Sequence, residues 1–318
     1  MRFITWMLVV VCALLLHVPA QATVIQDCYD NGATNLAGNT GQAWVSSSKQ
    51  YGANETSFVN ENTNTRYAAG CLGGYSGNDM PLPTLNLGYR GDGLFNGQPQ
   101  SGGKSDPALT SGLNEWWIDG AFKPELQALA DENLAVDPGW IYLGKFEENK
   151  QTSTWEKDFG KLGGVIDFGL LLDFGLRCDT DGSGDSGDAN CNSTNGNWYL
   201  TPFFDVPELV APLLGDNFFT QFAMVFKAGT NFITYNFTLQ SMEIDSATVG
   251  TGLRPYVFEG GFNFGQTLMT NGGQNAGLSH FSLYALDPTG NSTTVSEPSA
   301  LFILGLILVM VSVRRRLF

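Results

Sequence analysis

The stretch Phe218–Leu239, FFTQFAMVFKAGTNFITYNFTL, decides the fold class. Phe218 to Phe226 and Phe232 to Leu239 are two runs of strand-favouring aromatic and aliphatic residues. Between them lies Lys227-Ala-Gly-Thr-Asn231, a short loop with a glycine at its centre. Two such runs about a glycine-bearing loop predict a β-hairpin.

Further strands are expected on both sides of it. Trp140 to Phe146 is aromatic and apolar, and Tyr256 to Phe258 is a shorter run of the same kind. Leu278 to Ala285 alternates: Leu278, His280, Ser282 and Tyr284 face one way, and Ser279, Phe281, Leu283 and Ala285 the other. Helical periodicity is confined to Pro124–Leu134, where a proline opens the first turn and leucines stand at 126, 129 and 134. The composition agrees, with 39 Gly, 22 Phe and 10 Tyr supplying turns and pleated surfaces. The expected fold is all-β, a sandwich or jelly-roll-like arrangement with long Gly/Asn-rich loops and at most one or two short helices. Residues 113–295 hold the strand signals. Residues 23–112 are polar and Gly/Asn-rich, and are expected either to drape over the β-core or to form long irregular loops tied by a disulfide. Within them, Arg90-Gly91-Asp92 lies in a glycine-punctuated loop and reads as a chance tripeptide.

Both ends carry addresses rather than fold. Arg2, the apolar run Met7 to Val18 and the small-residue site Ala20-Gln21-Ala22 form a secretory signal peptide, residues 1–22, for Sec export. Cys12 follows Val11, so the signal is not of the lipoprotein kind. The other end, 296–318, reads as a sorting tail. It has a breaker at Ser296-Glu297-Pro298-Ser299, an uncharged helix over 300–313 and the cluster Arg314-Arg315-Arg316. Proline favours a helix beginning just after it, and the arginines stay at the anionic cytoplasmic face. The apolar run is short: fourteen residues span about 21 Å against about 30 Å of hydrocarbon, which snorkelling arginines or local thinning would bridge.

This tail resembles the PEP-CTERM sorting signal of Gram-negative bacteria. Glu297-Pro298 match its motif, Ser296 stands where the first proline usually is, and the helix and arginines follow in the family's order. The resemblance covers about 23 residues. It implies recognition and cleavage by exosortase, a membrane protease-transferase, and association with exopolysaccharide or biofilm matrix. Phe222–Phe232 and Gly277–Tyr284 also look like segments that recur in exported members of the group, in domains without an assigned activity. Localisation is therefore expected to be exported: held at the inner membrane by the C-terminal helix, then at the cell surface or outside it.

The full chain carries a net charge of −15. The two ends would remove four arginines and one glutamate, taking the mature chain to −18. Such an acidic chain repels nucleic acid and anionic lipid, and suits divalent cations and neutral polymers. Four cysteines remain: Cys28, Cys71, Cys178 and Cys191. An oxidising compartment predicts disulfides, and proximity favours Cys28–Cys71 and Cys178–Cys191 among three connectivities.

The densest local chemistry is Cys178-Asp-Thr-Asp-Gly-Ser-Gly-Asp-Ser-Gly-Asp-Ala-Asn-Cys191. Asp179, Asp181, Ser183, Asp185 and Asp188 supply hard oxygens on a flexible loop, which makes it a calcium candidate. It is no EF-hand, because Asn190 replaces the bidentate glutamate and no helices flank it. A solvated acidic turn is the simpler alternative. A second pattern, Val165-Ile-Asp167-Phe-Gly-Leu170 followed by Leu171-Leu-Asp173-Phe-Gly-Leu176, places both aspartates on one face if extended. No kinase partner motifs accompany either Asp-Phe-Gly. His280 is the one histidine left after signal cleavage, and no G-x-S-x-G elbow exists to partner it. Trp44, Trp116, Trp117, Trp140, Trp155 and Trp198 are expected mostly in the core, with any exposed ring able to stack on sugars.

Two functional readings follow. The first is a non-enzymatic surface or extracellular-matrix protein, structural or polysaccharide-associated, with no catalytic residues. The alternative is an exported carbohydrate-active enzyme, drawing a carboxylate pair from Asp167, Asp173, Glu147 and Glu148.

Overall fold

The structure, a computed structural model, describes residues 40–76, 139–149, 154–164, 166–177, 195–207, 209, 219–229, 231–249, 253–265 and 277–286, with short stretches between 79 and 96. It is an antiparallel β-sandwich, as the sequence predicts. Its strands are β1 (Thr40–Tyr51), β2 (Phe58–Asn62), β3 (Arg66–Tyr67), β4 (Gly70–Ser76), β5 (Trp140–Asn149), β6 (Thr154–Phe159), β7 (Lys161–Leu162), β8 (Ile166–Asp167), β9 (Leu172–Arg177), β10 (Asn195–Pro202), β11 (Gln221–Ala228), β12 (Asn231–Thr238), β13 (Tyr256–Gly265) and β14 (Leu278–Leu286). The first sheet runs β2-β1-β13-β10-β9, with β3 also on β1. The second runs β4-β12-β11-β14-β5-β6. β7 and β8 form a small ladder of their own.

The hairpin is β11–β12, in register from Gln221↔Thr238 to Ala228↔Asn231. Its turn is tighter than the sequence suggests. Lys227, Ala228 and Asn231 belong to the ladders, and Gly229 takes the left-handed φ of 56° that a two-residue hairpin turn demands. Phe222, Met224, Phe226, Ile233, Tyr235 and Phe237 enter the core between the sheets. The opposite face is also covered, which explains why both runs are apolar nearly throughout.

The two sheets meet ring against ring. Phe226 contacts Phe262 at 4.9 Å and Phe264 at 4.9 Å, and Phe174 meets Phe281 at 5.9 Å. Trp198 reaches Phe222 at 6.0 Å and Phe237 at 5.8 Å. Each such ring pair is worth about 0.5–1.5 kcal/mol beyond its burial.

Three expectations need correction. The polar region does not merely drape over the core: β1 pairs with β13 in the first sheet, and β4 with β12 in the second. On β14, Phe281, Leu283 and Ala285 share the core face as expected, but Leu278 joins them instead of lying with His280. The register shift opposite Lys227/Ala228 flips the strand there. Asp167 and Asp173 do not share an extended strand, because a 3₁₀ turn over Phe168–Leu170 separates β8 from β9. The helix expected at Pro124–Leu134 lies outside the described residues.

Of the described residues between 79 and 96, Asp79 meets the outer face of the second sheet and Asn86 and Asn96 close the edge of β5. β6 accompanies β5 only from Gly144 onward, leaving the start of β5 open on that side. Two asparagine amides fill the gap. Asn86 accepts from Tyr142 N–H at 2.7 Å and donates to its carbonyl at 2.8 Å. Asn96 does the same with Trp140, both at 2.7 Å. Asn86 also holds a left-handed φ of 58°, a conformation asparagine tolerates better than most residues.

Candidate functional site

The carboxylates proposed for catalysis are each engaged elsewhere. Asp167 lies opposite Lys161 in the small ladder, and its Oδ1 accepts the Gly169 N–H at 2.9 Å, capping the 3₁₀ turn. Asp173 lies opposite Thr201 in the first sheet and pairs with Lys157. Glu147 is paired with Lys145 at 2.7 Å. Glu148 is its neighbour on β5, so the two side chains point to opposite faces. The structure brings no two of these together as an acid–base pair flanking a cleft.

The calcium candidates Asp179, Asp181, Ser183, Asp185 and Asp188 lie outside the described residues, as do Cys28, Cys178, Cys191 and the sorting residues Glu297, Pro298, Arg314, Arg315 and Arg316. Among the described residues no His, Cys, Asp and Glu cluster is arranged to hold a metal, and no helix is long and apolar enough to cross a membrane. Cys71 is disulfide-bonded. Its partner lies outside the described residues, so the connectivity remains an expectation.

His280 is engaged from an unforeseen direction. Its Nε2 contacts both carboxylate oxygens of Asp79, at 2.8 and 2.7 Å. Ser282 donates to the same carboxylate at 3.4 Å, and Lys227 lies opposite His280 on β11. Asp79 is only 3 % exposed. Burial alone would raise its carboxyl, but the His280 hydrogen bond and charge, a backbone N–H and the Lys227 charge together hold it below its usual value. Lys227 is pushed down by burial, against the pull of Asp79, and donates to the Gly229 carbonyl at 2.6 Å. No serine or cysteine nucleophile stands against the histidine in these contacts. The cluster ties Asp79 to the second sheet.

The outer face of the first sheet is different in kind. Along β13 the dipeptide Gly260-Gly261 is clasped between two tryptophans. On the core side, the ring of Trp198 stands where a Gly260 Cβ would be, within 2.4 Å. On the outer side, the ring of Trp44 lies over Gly261, also within 2.4 Å of a Cβ position. Glycine in a strand marks such a close approach. With no side chain on Gly261, the Trp44 ring packs directly against the strand and is half-buried.

Tyr67 of β3 meets Trp44 edge-on, centroids 6.3 Å apart, and is 43 % exposed. Two strands away, Tyr199 of β10 packs over Gly175. Lys157 donates to its hydroxyl at 2.9 Å and also binds Asp173. Burial would lower the Lys157 ammonium, but its bonds to Asp173 and Tyr199 hold it above its usual value. Arg177 covers the Tyr199 ring, its guanidinium 5.1 Å from the centroid, and faces Glu259 at 3.6 Å. Both cations are thus matched by carboxylates. Asn195, Asn197 and Asn263 are exposed on the same face, adding amide donors and acceptors.

This face spans the strands from β3 to β9. At about 4.8 Å between strands it extends roughly 20 Å. The Trp44 and Tyr67 rings, bordered by amides and by the Lys157–Asp173 and Arg177–Glu259 pairs, suit an extended, uncharged, hydroxyl-rich polymer. Of its residues, the sequence singles out only Trp44 as a potential stacking ring. Tyr67, Tyr199 and the paired charges come together through strand pairing alone. Trp140 and Trp198 are buried in the core, Trp155 stacks on Phe146 at 5.1 Å, and Trp116 and Trp117 lie outside the described residues. Comparison of the chain with known protein families, curated proteins and solved structures finds no match.

Proposed function

We propose that this protein is an exported, non-catalytic surface or extracellular-matrix protein that associates with polysaccharide through the outer face of its first sheet. The observation that carries the reading is the Trp44 ring seated on Gly261 beside the exposed Tyr67, on a face where Lys157 and Arg177 are paired with Asp173 and Glu259. The engagement of Asp167, Asp173 and Glu147 in local contacts supports binding rather than hydrolysis. The signal peptide and the PEP-CTERM-like tail support export by the Sec machinery, a transient hold at the inner membrane by the C-terminal helix, and exosortase processing.

Affinity electrophoresis through gels containing soluble neutral polysaccharides tests the binding. The wild type is expected to be retarded in at least one gel. Trp44→Ala and Tyr67→Ala are each expected to weaken binding by about tenfold, or about 1.4 kcal/mol, the scale of losing one aromatic anchor. Equal mobility of wild type and both variants in every gel would reject the surface. Mass spectrometry of the protein from its native host tests the export reading separately: an intact tail and an uncleaved leader would reject it.

A further inference from the structure

Among the described residues, rings and aliphatic side chains pack the space between the sheets, but at one end of the sandwich the packing is incomplete. There a cavity of about 110 Å³ remains open, walled by Leu143, Leu200, Phe222 and Ala285 and entered past Phe219 and Leu253. Its lining is mostly hydrocarbon contributed by both sheets; the polar side chains in it, Thr220, Gln221 and Arg254, are each at least partly exposed. Leu253 is 39 % exposed there, and Phe219 is half-buried.

Close packing is the rule in such a core, so a void of this size requires an account. Water fits poorly. An ordered water needs two to four polar partners, and the buried part of this lining is hydrocarbon. Dry apolar cavities of about 150 Å³ take up benzene or xenon. The space here is slightly smaller, already open to solvent, and lined on every side by side chains that gain dispersion contacts from an apolar occupant. We infer that this cavity is a binding site for one small, uncharged apolar molecule of about the bulk of a benzene ring. It is independent of the polysaccharide face, which lies on the opposite surface of the first sheet.

Fluorobenzene added to the full chain and followed by fluorine NMR tests this. The wild type is expected to show saturable exchange broadening. Ala285→Leu, which extends a side chain from β14 into the cavity, is expected to weaken the binding at least tenfold. Leu253→Trp alters only the exposed rim and is expected to fold normally, narrow the entrance and slow exchange. It decides the matter if Ala285→Leu fails to fold. Absence of saturable binding in the wild type would overturn the inference. So would unchanged affinity in a folded Ala285→Leu together with unchanged exchange in Leu253→Trp.

Discussion

The neighbouring glycines of β13 allow a prediction in which one substitution, made at adjacent positions, has opposite readouts. A methyl at Gly260 would fall 2.0 Å from the Trp44 carbonyl oxygen and 2.4 Å from the Trp198 ring. The carbonyl is backbone, held in the β1–β13 ladder by the Trp44↔Gly261 and Val45↔Gly260 pairs. Trp198 is fully buried and donates its Nε1 proton to the Gly261 carbonyl at 3.2 Å. Neither can retreat without breaking pairing or emptying part of the core. Overpacking costs about 1–3 kcal/mol, and a rigid backbone partner puts this case at the upper end. Loss of the indole hydrogen bond adds about 1 kcal/mol. Gly260→Ala is therefore expected to destabilise by about 4 kcal/mol. At about 2–4 °C per kcal/mol for a domain of this size, the melting temperature falls by roughly 8–16 °C. At Gly261 the atoms nearest the methyl all belong to the Trp44 ring, a half-buried side chain rather than backbone. Gly261→Ala is expected to shift melting by less than about 3 °C, yet lift Trp44 off the sheet and abolish retardation in polysaccharide gels. Circular-dichroism melts and the gels decide together. A Gly260→Ala protein that melts like the wild type would refute the steric reasoning. A Gly261→Ala protein that binds polysaccharide normally would refute the seat for Trp44.

The remaining predictions concern the second sheet and the acidic loop. Asp79→Ala strands buried Lys227 beside His280 without a carboxylate and is expected to cost about 3–5 kcal/mol in urea titrations; a loss below about 1 kcal/mol would contradict the buried pairing. Because the Asp79 carboxyl is held below its ordinary value, its contribution is complete above the unfolded value of about 3.9 and lost as pH falls through the lower folded one. Wild-type melting temperatures should therefore drop more steeply below about pH 4 than those of Asp79→Asn; parallel curves would exclude that ionisation as a source of stability. Asn96→Ala strips both amide bonds from Trp140 and is expected to cost about 1–3 kcal/mol for each buried group left unpaired, and to promote self-association through the bared edge of β5 in sedimentation experiments. Calcium in the 178–191 loop predicts a lower melting temperature in EDTA, and an unchanged one would exclude a structural ion.

The legible and illegible parts of this fold differ in where their information lies. The β11–β12 hairpin was readable because both its faces are buried and its turn carries a glycine, all within 22 residues of chain. β1 was not. Ala43 and Val45 point inward, but after the bulge between Val45 and Ser47 the inward positions are Ser48 and Gln50. The apolar alternation stops while the strand continues, because Gln50 satisfies itself on the Thr248 and Arg254 carbonyls, both more than 190 residues away. β6 was hidden by its charges, Glu156, Lys157 and Asp158, which suit an exposed sheet edge. Neither the Asp79–His280 contact, 201 residues apart, nor the Trp44 seat leaves a local pattern. Both exist only once distant strands have found their register.

The pairing of β1 with β13 also sets an order of events in time. Tyr51 ends β1 and Tyr256 begins β13, so about 200 residues must appear before the first strand meets its main partner. At about 5–20 residues per second of synthesis, that is a wait of roughly 10–40 s. Throughout it, the Trp44 ring lacks its glycine seat, and one whole edge of β1 is open to any other strand. The first sheet therefore closes only after β13 has followed β1 into place. A factor that shields β1 in the interval would raise the yield of folded protein without touching its final stability.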